Sequence, residues 1–159
     1  MELYDRLKEG VEPRWIADLD DCYVIEGDAN VTPGYVLLLH KDPKIKALSA
    51  LSLEKQIEFM TTLSKLNFAL SKSMERLDEQ FVRTNIEILG NLDQYLHAHL
   101  SPRFAWEEIS LAHKSLREFS LTEKDQMSNL TKSMWDTKSR ERFRDTIHAE
   151  ILSIKNCQP

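Results

Sequence analysis

The stretch Gln94-Tyr95-Leu96-His97-Ala98-His99-Leu100-Ser101 alternates polar and apolar residues, which indicates a β-strand. Successive side chains of a strand point to opposite faces of its sheet, so residues two apart share a face. One face would carry Tyr95, His97, His99 and Ser101, and the other Leu96, Ala98 and Leu100. The pattern predicts that the apolar face packs on a core. The polar face is expected to line a surface or a cleft.

The rest of the first two thirds supplies the partners of this strand. Short apolar runs predict strands at 14–19, 22–25, 35–40 and 81–88, and their close spacing favours antiparallel pairing. Residues 53–77 contain no Gly or Pro and carry an apolar stripe at helical spacing, which predicts one long helix capped by Ser52. We therefore expect an α+β fold, with an antiparallel sheet of about five strands and one long helix packed on it.

Two more helices are expected near the end of the chain. Thr122 begins the first, with Asp125 as a weak capping partner, and Thr137 begins the second. The second helix has a spaced apolar stripe, formed by Phe143, Ile147, Ile151 and Ile154. No internal repeat or linker marks a boundary, so residues 1–159 are interpreted as a single domain.

Composition and charge exclude several classes of protein. The 159 residues include 26 acidic and 21 basic side chains, for a net charge of −5, which argues against a general nucleic-acid binder. No apolar run is long enough for a membrane helix, and the charged N-terminus lacks a signal core, so we expect a cytoplasmic protein without a membrane partner. Cys22 and Cys157 lie far apart and are expected to be free thiols.

The histidine pair His97 and His99 is the one constellation that carries chemistry. Two imidazoles on one strand face can ligate a metal, attack and stabilise a phosphate, or serve a structural role. A zinc site needs further ligands, and no Glu, Asp, Cys or His stands at a telling distance, so no metal site is predicted. The residues alone leave the catalytic and the structural interpretations open.

The wider segment resembles the signature of the histidine triad (HIT) superfamily of nucleotide hydrolases and transferases. Gly90-Asn91, His97, His99 and Pro102-Arg103 fall in register with that signature. Residues 32–39 look like the family's Pro-Gly-His strand, and residues 48–57 resemble the entry to its long helix. The resemblance implies a HIT-like core at about 14–104, followed by a C-terminal helical extension at about 105–159.

The chain departs from the family pattern at three positions. Tyr95 stands at the first triad histidine, and Tyr35 stands where the family has histidine after Pro-Gly. Gly27 falls where many members carry an Asn or Asp that touches the ribose. The chain is most similar to a bacterial branch of dinucleoside polyphosphate hydrolases, through Asn91, Asp93, the run 96–99 and Phe104.

The resemblance implies a nucleotide hydrolase that acts at an α-phosphate through a nucleotidyl-histidine. His97 would be the nucleophile, and His99 would donate to a phosphate oxygen or to the leaving group. Nucleotide contacts would come from Asn91, Tyr95, Ser101 and Arg103, with Arg103 also able to order the strand end. No cofactor is implied, although magnesium can accompany a polyphosphate substrate.

Two other functions remain open on the same scaffold. One is a nucleotide-binding or regulatory protein without turnover, because Tyr95 cannot carry the positive charge of an imidazolium. The other is a nucleoside phosphoramidate hydrolase. The resemblance also implies a homodimer.

Overall fold

The computed structural model describes residues 2–27, 32–90, 93–108, 114–115 and 118–156. Within these ranges five strands form one antiparallel sheet: β1 (Trp15–Leu19), β2 (Cys22–Glu26), β3 (Val36–His40), β4 (Phe81–Ile88) and β5 (His97–Phe104). The same ranges contain the helices α1 (Leu3–Lys8), α2 (Leu53–Leu77), α3 (Leu121–Met134) and α4 (Thr137–Asn156), and a short 3-10 turn at Leu48–Ala50. The strand order is β1-β2-β3-β5-β4, which places β5 between β3 and the edge strand β4. The expected α+β fold is confirmed.

The turn between β1 and β2 is tight and is held against α2. Leu19 pairs directly with Cys22, so only two residues connect the strands. The first of them, Asp20, has φ of 50°, a left-handed conformation that Asp tolerates better than most residues. Its carboxylate accepts hydrogen bonds from Thr62 Oγ1 at 2.7 Å and from Lys65 Nζ at 2.9 Å.

Helix α2 begins and ends close to the predicted positions. The Ser52 side chain accepts a hydrogen bond from the backbone N–H of Lys55 at 3.3 Å, which caps the first turn. Its buried face includes the apolar residues Phe59, Leu63, Leu66, Leu70 and Met74. The predicted helical stripe is therefore the face that packs on the sheet.

The N-cap predicted for α3 was wrong. Ser120, rather than Thr122, is the N-cap, and it forms a reciprocal capping box with Glu123 instead of Asp125. Ser-x-x-Glu satisfies two free N–H groups at once, because the hydroxyl bonds the backbone of Glu123 and the carboxylate bonds the backbone of Ser120. None of the helices in the described ranges is long and apolar enough to cross a membrane.

The sheet has a buried cluster on each face. The larger one lies between the sheet, α2 and α4, and α4 contributes Phe143, Ile147 and Ile151, each fully buried. Helix α1 lies on the other face, where Tyr4 and Leu7 contact Tyr23, Ile25 and Leu39. Strand β5, which carries the histidine pair, is positioned by the larger cluster, to which Ala98, Leu100 and Phe104 belong.

Candidate active site

Strand β5 separates its polar and apolar residues as the alternation predicts. Leu96, Ala98 and Leu100 belong to the larger buried cluster with α2, which confirms the predicted core face. His97 and His99 project from the opposite face, and their ring centroids lie 4.7 Å apart in an edge-to-face arrangement. Tyr95 precedes the first residue of the strand, but its ring lies 5.0 Å from that of His97.

The polar face of β5 is buried, whereas the sequence predicted a surface or a cleft. His97, His99 and Ser101 are only 3%, 5% and 3% exposed. Helix α1 packs on the same face of the sheet, where its Tyr4 meets the ring of Tyr95 at 5.3 Å. The histidines thus lie within an aromatic enclosure, in which every electrostatic interaction is stronger than in water.

The hydrogen bond of His97 determines which of its ring nitrogens can attack. Its Nδ1 lies 2.7 Å from the backbone carbonyl oxygen of Tyr95. A carbonyl oxygen only accepts, so Nδ1 carries the hydrogen and the neutral ring keeps its lone pair on Nε2. This is the arrangement that a nucleophilic imidazole requires.

His99 is held by Tyr35, a residue that the sequence identified only as a departure from the family pattern. The Tyr35 hydroxyl lies 2.5 Å from His99 Nδ1, and the two rings are nearly parallel, with centroids 6.0 Å apart. The sequence offered no signal for this contact beyond the place of Tyr35 at the start of a strand, because 64 residues separate the partners.

Tyr95 supplies an uncharged hydroxyl beside His97. Burial, reinforced by the nearby Asp93 carboxylate and opposed by Arg14, raises the pKa of the Tyr95 phenol. The side chain is therefore a neutral phenol at neutral pH. It can donate a hydrogen bond to a phosphate oxygen, but it cannot balance developing negative charge.

Strand β4 adds a row of polar residues that sequence reasoning missed. Asn85 pairs with Ser101 and Glu87 pairs with His99, so each pair shares the histidine face. Arg83, Asn85 and Glu87 line a cavity of about 640 Å³, together with Thr84, Ile86, Lys114 and Ser115. The alternation of this row with apolar residues in β4 was the signal that could have placed it on the histidine face.

Arg103 lies at the end of this face, and its donors are turned toward other parts of the chain. Its guanidinium donates to both carboxylate oxygens of Glu107, at 2.5 to 3.0 Å, and to the carbonyl oxygen of Lys114 at 2.8 Å. Glu107 also accepts from the backbone N–H of Phe104 at 2.9 Å. This geometry favours the role of ordering the strand end over that of contacting phosphate.

Several other residues near the sheet have structural partners. Tyr23 and Ile25 pack with α1. His148 Nδ1 bonds the carbonyl oxygen of Ile16 at 2.8 Å. Trp106 stacks on Phe104 with the ring centroids 5.2 Å apart. Asn91 and His113 lie outside the described residues.

The sequence predicts no metal site and two free thiols. In the described part of the chain, no three or more His, Cys, Asp and Glu residues are grouped so that they could hold a metal ion. The predicted lack of a metal site stays a prediction. Cys22 is a buried free thiol, and burial, with Asp21 and Asp20 nearby, raises its pKa to about 12, so the thiol stays protonated. Cys157 lies outside the described residues.

Comparison with known proteins places the fold. A hypothetical histidine triad nucleotide-binding protein from Sulfolobus tokodaii superposes with a TM-score of 0.63 at 11% identity, covering 96% of this chain and 92% of the other. A HIT-like protein involved in cell-cycle regulation from Bartonella henselae gives 0.61 at 15% identity, covering 93% and 94%. A zinc-bound histidine triad family protein from Mycobacterium smegmatis gives 0.61 at 14% identity, covering 98% and 96%.

These likenesses define the fold, and the chain has the histidine triad fold. They span 93 to 98% of the chain. They therefore extend into the C-terminal helices, beyond the part that the sequence resemblance covers. No family model matches the sequence, and no curated protein matches it.

Proposed function

We propose that the protein hydrolyses a nucleoside phosphate or a dinucleoside polyphosphate at the α-phosphate, with His97 as nucleophile. The observation that carries the proposal is the bond between His97 Nδ1 and the Tyr95 carbonyl oxygen, which leaves Nε2 free to attack. The shared fold supports a nucleotide ligand, since one similar structure is described as nucleotide-binding. A nucleotide substrate also agrees with the cytoplasmic location expected from the sequence.

The reaction proceeds in two balanced steps. His97 Nε2 attacks the α-phosphorus, the bond from phosphorus to the leaving oxygen breaks, and His99 gives that oxygen a proton. Water then attacks the same phosphorus, the phosphorus–nitrogen bond breaks, and the proton of the water returns to His99. Neutral donors stabilise the charge that spreads over the phosphate oxygens, and we assign this role to Asn91, Tyr95 and Ser101.

The first experiment follows product and intermediate by mass spectrometry. Wild type and His97→Asn are mixed with a dinucleoside polyphosphate and with mononucleotide phosphoramidates, with magnesium or with a chelator. We expect wild type to release nucleotide and to carry a nucleotidyl group on His97, and the variant to do neither. His40→Ala is the matched control, because His40 lies at the end of β3 and its side chain bonds only the backbone of Asp42 among the described residues.

The main alternative is a binding protein that turns nothing over. It is favoured by the burial of both histidines and by the neutral Tyr95 beside them. Nucleotide binding by wild type and His97→Asn without turnover by either would establish it. Faster cleavage of a phosphoramidate than of the polyphosphate would identify the protein as a nucleoside phosphoramidate hydrolase.

We also propose that two copies of the chain form a homodimer through the edge strand β4. The other edge of the sheet, β1, is capped by α4, because Arg144 donates to the carbonyl oxygens of Pro13 and Trp15 and His148 bonds that of Ile16. The outer edge of β4 pairs with no strand in the described ranges. An unpaired strand edge readily adds a strand from another chain.

The surface beside β4 has the character of an interface. We define the α2–β4 face by its exposed apolar residues Leu53, Ile57, Met60, Phe68, Val82, Ile86 and Ile88. Ile86 and Ile88 pair with Leu100 and Ala98, so they lie on the side of the sheet that α2 covers. Asn67 Oδ1, on the same helix, is buried and bonds no described residue. A second copy would cover this apolar surface and continue the sheet.

Sedimentation velocity tests the dimer. We expect wild type to sediment as a dimer and Ile86→Lys as a folded monomer, because the new charge would be buried at the interface. Leu121→Lys is the control, since Leu121 is 81% exposed on α3, outside the α2–β4 face. A wild-type monomer at high concentration would contradict the proposal.

A further inference from the structure

We infer that Tyr35 is the positioning residue of His99: its hydroxyl bonds Nδ1 and holds the ring, and we assign the proton exchange of the reaction to Nε2. The catalytic consequence rests on the proposed function, whereas the contact itself can be tested without any substrate. Tyr35 is absent from the site that the sequence predicts, and the residue expected there, a histidine, has a different shape and acidity.

The position of the Tyr35 ring is closely constrained. A Cβ at residue 27 would overlap the Tyr35 ring carbons Cδ1 and Cε1, so the ring occupies space that only glycine leaves open. The backbone N–H of Gly27 donates to the carbonyl oxygen of Tyr35 at 2.9 Å, which joins the ends of the connection between β2 and β3. Gly27 and Tyr35 therefore act as a matched pair that directs the hydroxyl at His99.

The two histidines are held by different kinds of partner. The carbonyl oxygen that bonds His97 can only accept, so it fixes one tautomer. The hydroxyl that bonds His99 can donate or accept, so it keeps its bond whatever the protonation state of the ring. His97 is thus suited to attack phosphorus, and His99 is suited to give up and regain a proton.

The proton balance of the proposed reaction uses this difference. In the first step the His99 imidazolium gives its Nε2 proton to the leaving oxygen, while Nδ1–H donates to the Tyr35 oxygen. In the second step Nε2 takes the proton of the attacking water. Tyr35 neither gains nor loses a proton, so its role is to hold the ring at a fixed angle.

The test has one readout on the ring and one on catalysis. Nitrogen-15 NMR of labelled histidine reports the protonation of each ring nitrogen in wild type, Tyr35→Phe and the control Tyr23→Phe. Tyr23 lies on the same sheet face, with its ring beside the Lys41 ammonium. We expect the His99 Nδ1 signal to shift in Tyr35→Phe and to stay unchanged in Tyr23→Phe. Gly27→Ala, which displaces the ring but keeps the hydroxyl, should reproduce the shift.

The kinetic readout separates positioning from binding. We expect Tyr35→Phe to lower kcat roughly 10- to 100-fold with little change in KM. It should also alter the pH profile of kcat. A separate variant, Tyr35→His, should retain more of the wild-type kcat than Tyr35→Phe. An unchanged His99 Nδ1 signal in Tyr35→Phe overturns the inference. If wild type hydrolyses nothing, the proposed function fails, and the NMR shift still decides whether Tyr35 holds His99.

Discussion

At the scale of single residues, the described chain turns its buried charges toward one another. The side chains of Arg103 and Glu107 are 7% and 1% exposed, and they form a two-pronged ion pair closed by the Lys114 carbonyl oxygen. Such a pair keeps its geometry because the planar guanidinium meets the carboxylate through two N–H groups at once. Its guanidinium would have to give up these partners before it could reach a phosphate.

Breaking this pair should destabilise the fold. We expect Arg103→Met to lower the free energy of unfolding by about 3–5 kcal/mol, because it leaves the Glu107 carboxylate buried without its cation. Urea unfolding measures the difference. Lys72→Met is the control: its partner Glu75 is exposed, and the loss should be about 0.5 kcal/mol or less. If Arg103→Met also lost only about 0.5 kcal/mol, the ion pair would not stabilise the fold, and a role of Arg103 in ligand binding would be favoured instead.

At the scale of elements, a buried carboxylate joins α1 to the sheet. Glu12 accepts from Arg6 Nε, on α1, and from Arg14 Nε, just before β1, each at 2.8 Å. Burial by itself would raise the pKa of Glu12, but the hydrogen bonds from Arg14 and Arg6 outweigh it and hold the pKa below the ordinary 4.5. The helix that covers the histidine face thus depends on a charged Glu12.

This dependence predicts how α1 responds to pH. A lowered folded-state pKa contributes stability that is present above the unfolded value of 4.5 and is lost as the pH falls through the folded value. We expect wild type to exceed Glu12→Gln in unfolding free energy at about pH 7, and the gap to shrink as the pH falls below 4.5. Urea titrations across this range measure the gap. A gap independent of pH would assign the stabilisation to packing.

Helix α4, although it lies near the end of the sequence, contributes buried residues to the main core. Phe143 is fully buried between the sheet and α2. We expect Phe143→Ala to lower the free energy of unfolding by about 3–5 kcal/mol. Leu152→Ala, at a position 45% exposed on the same helix, should stay within about 0.5 kcal/mol of wild type. Similar losses for both variants, measured by urea unfolding, would contradict the buried position of α4.

At the scale of the whole molecule, the two sheet edges differ. Side chains of α4 cap the carbonyl oxygens at the β1 edge, whereas the α2–β4 face presents apolar side chains beside an edge that pairs with no strand in the described part of the chain. This asymmetry favours association at one edge only. One closed contact gives a dimer, whereas two open edges would allow longer assemblies.

Association would make stability depend on concentration. We expect the Tm of wild type to rise as the protein is concentrated, since a partner that binds only the folded chain adds about 2.7 kcal/mol at 100 times its Kd. The Tm of Ile86→Lys should not change over the same range. Differential scanning calorimetry at several protein concentrations measures this dependence. A wild-type Tm that stays constant would contradict the dimer.

The sequence by itself determined the strands and helices, because these depend on residues that are close to one another in the chain. Alternation along β5 placed the histidines on one face, the uninterrupted stripe from Phe59 to Leu77 gave α2, and together they gave the α+β fold. These predictions succeeded because strand and helix periods are local properties. Within the candidate site, sequence spacing could pair His97 with His99 but could not name what holds either ring.

Only the tertiary structure decided which distant groups meet. It brought Tyr35 to His99 across 64 residues, laid α1 over the histidine face, and turned Arg103 toward Glu107. It also buried the polar face of β5, which the sequence predicted to line a surface or a cleft. No local pattern encodes such contacts, because they depend on the order of strands in the sheet and on which helix covers each of its faces.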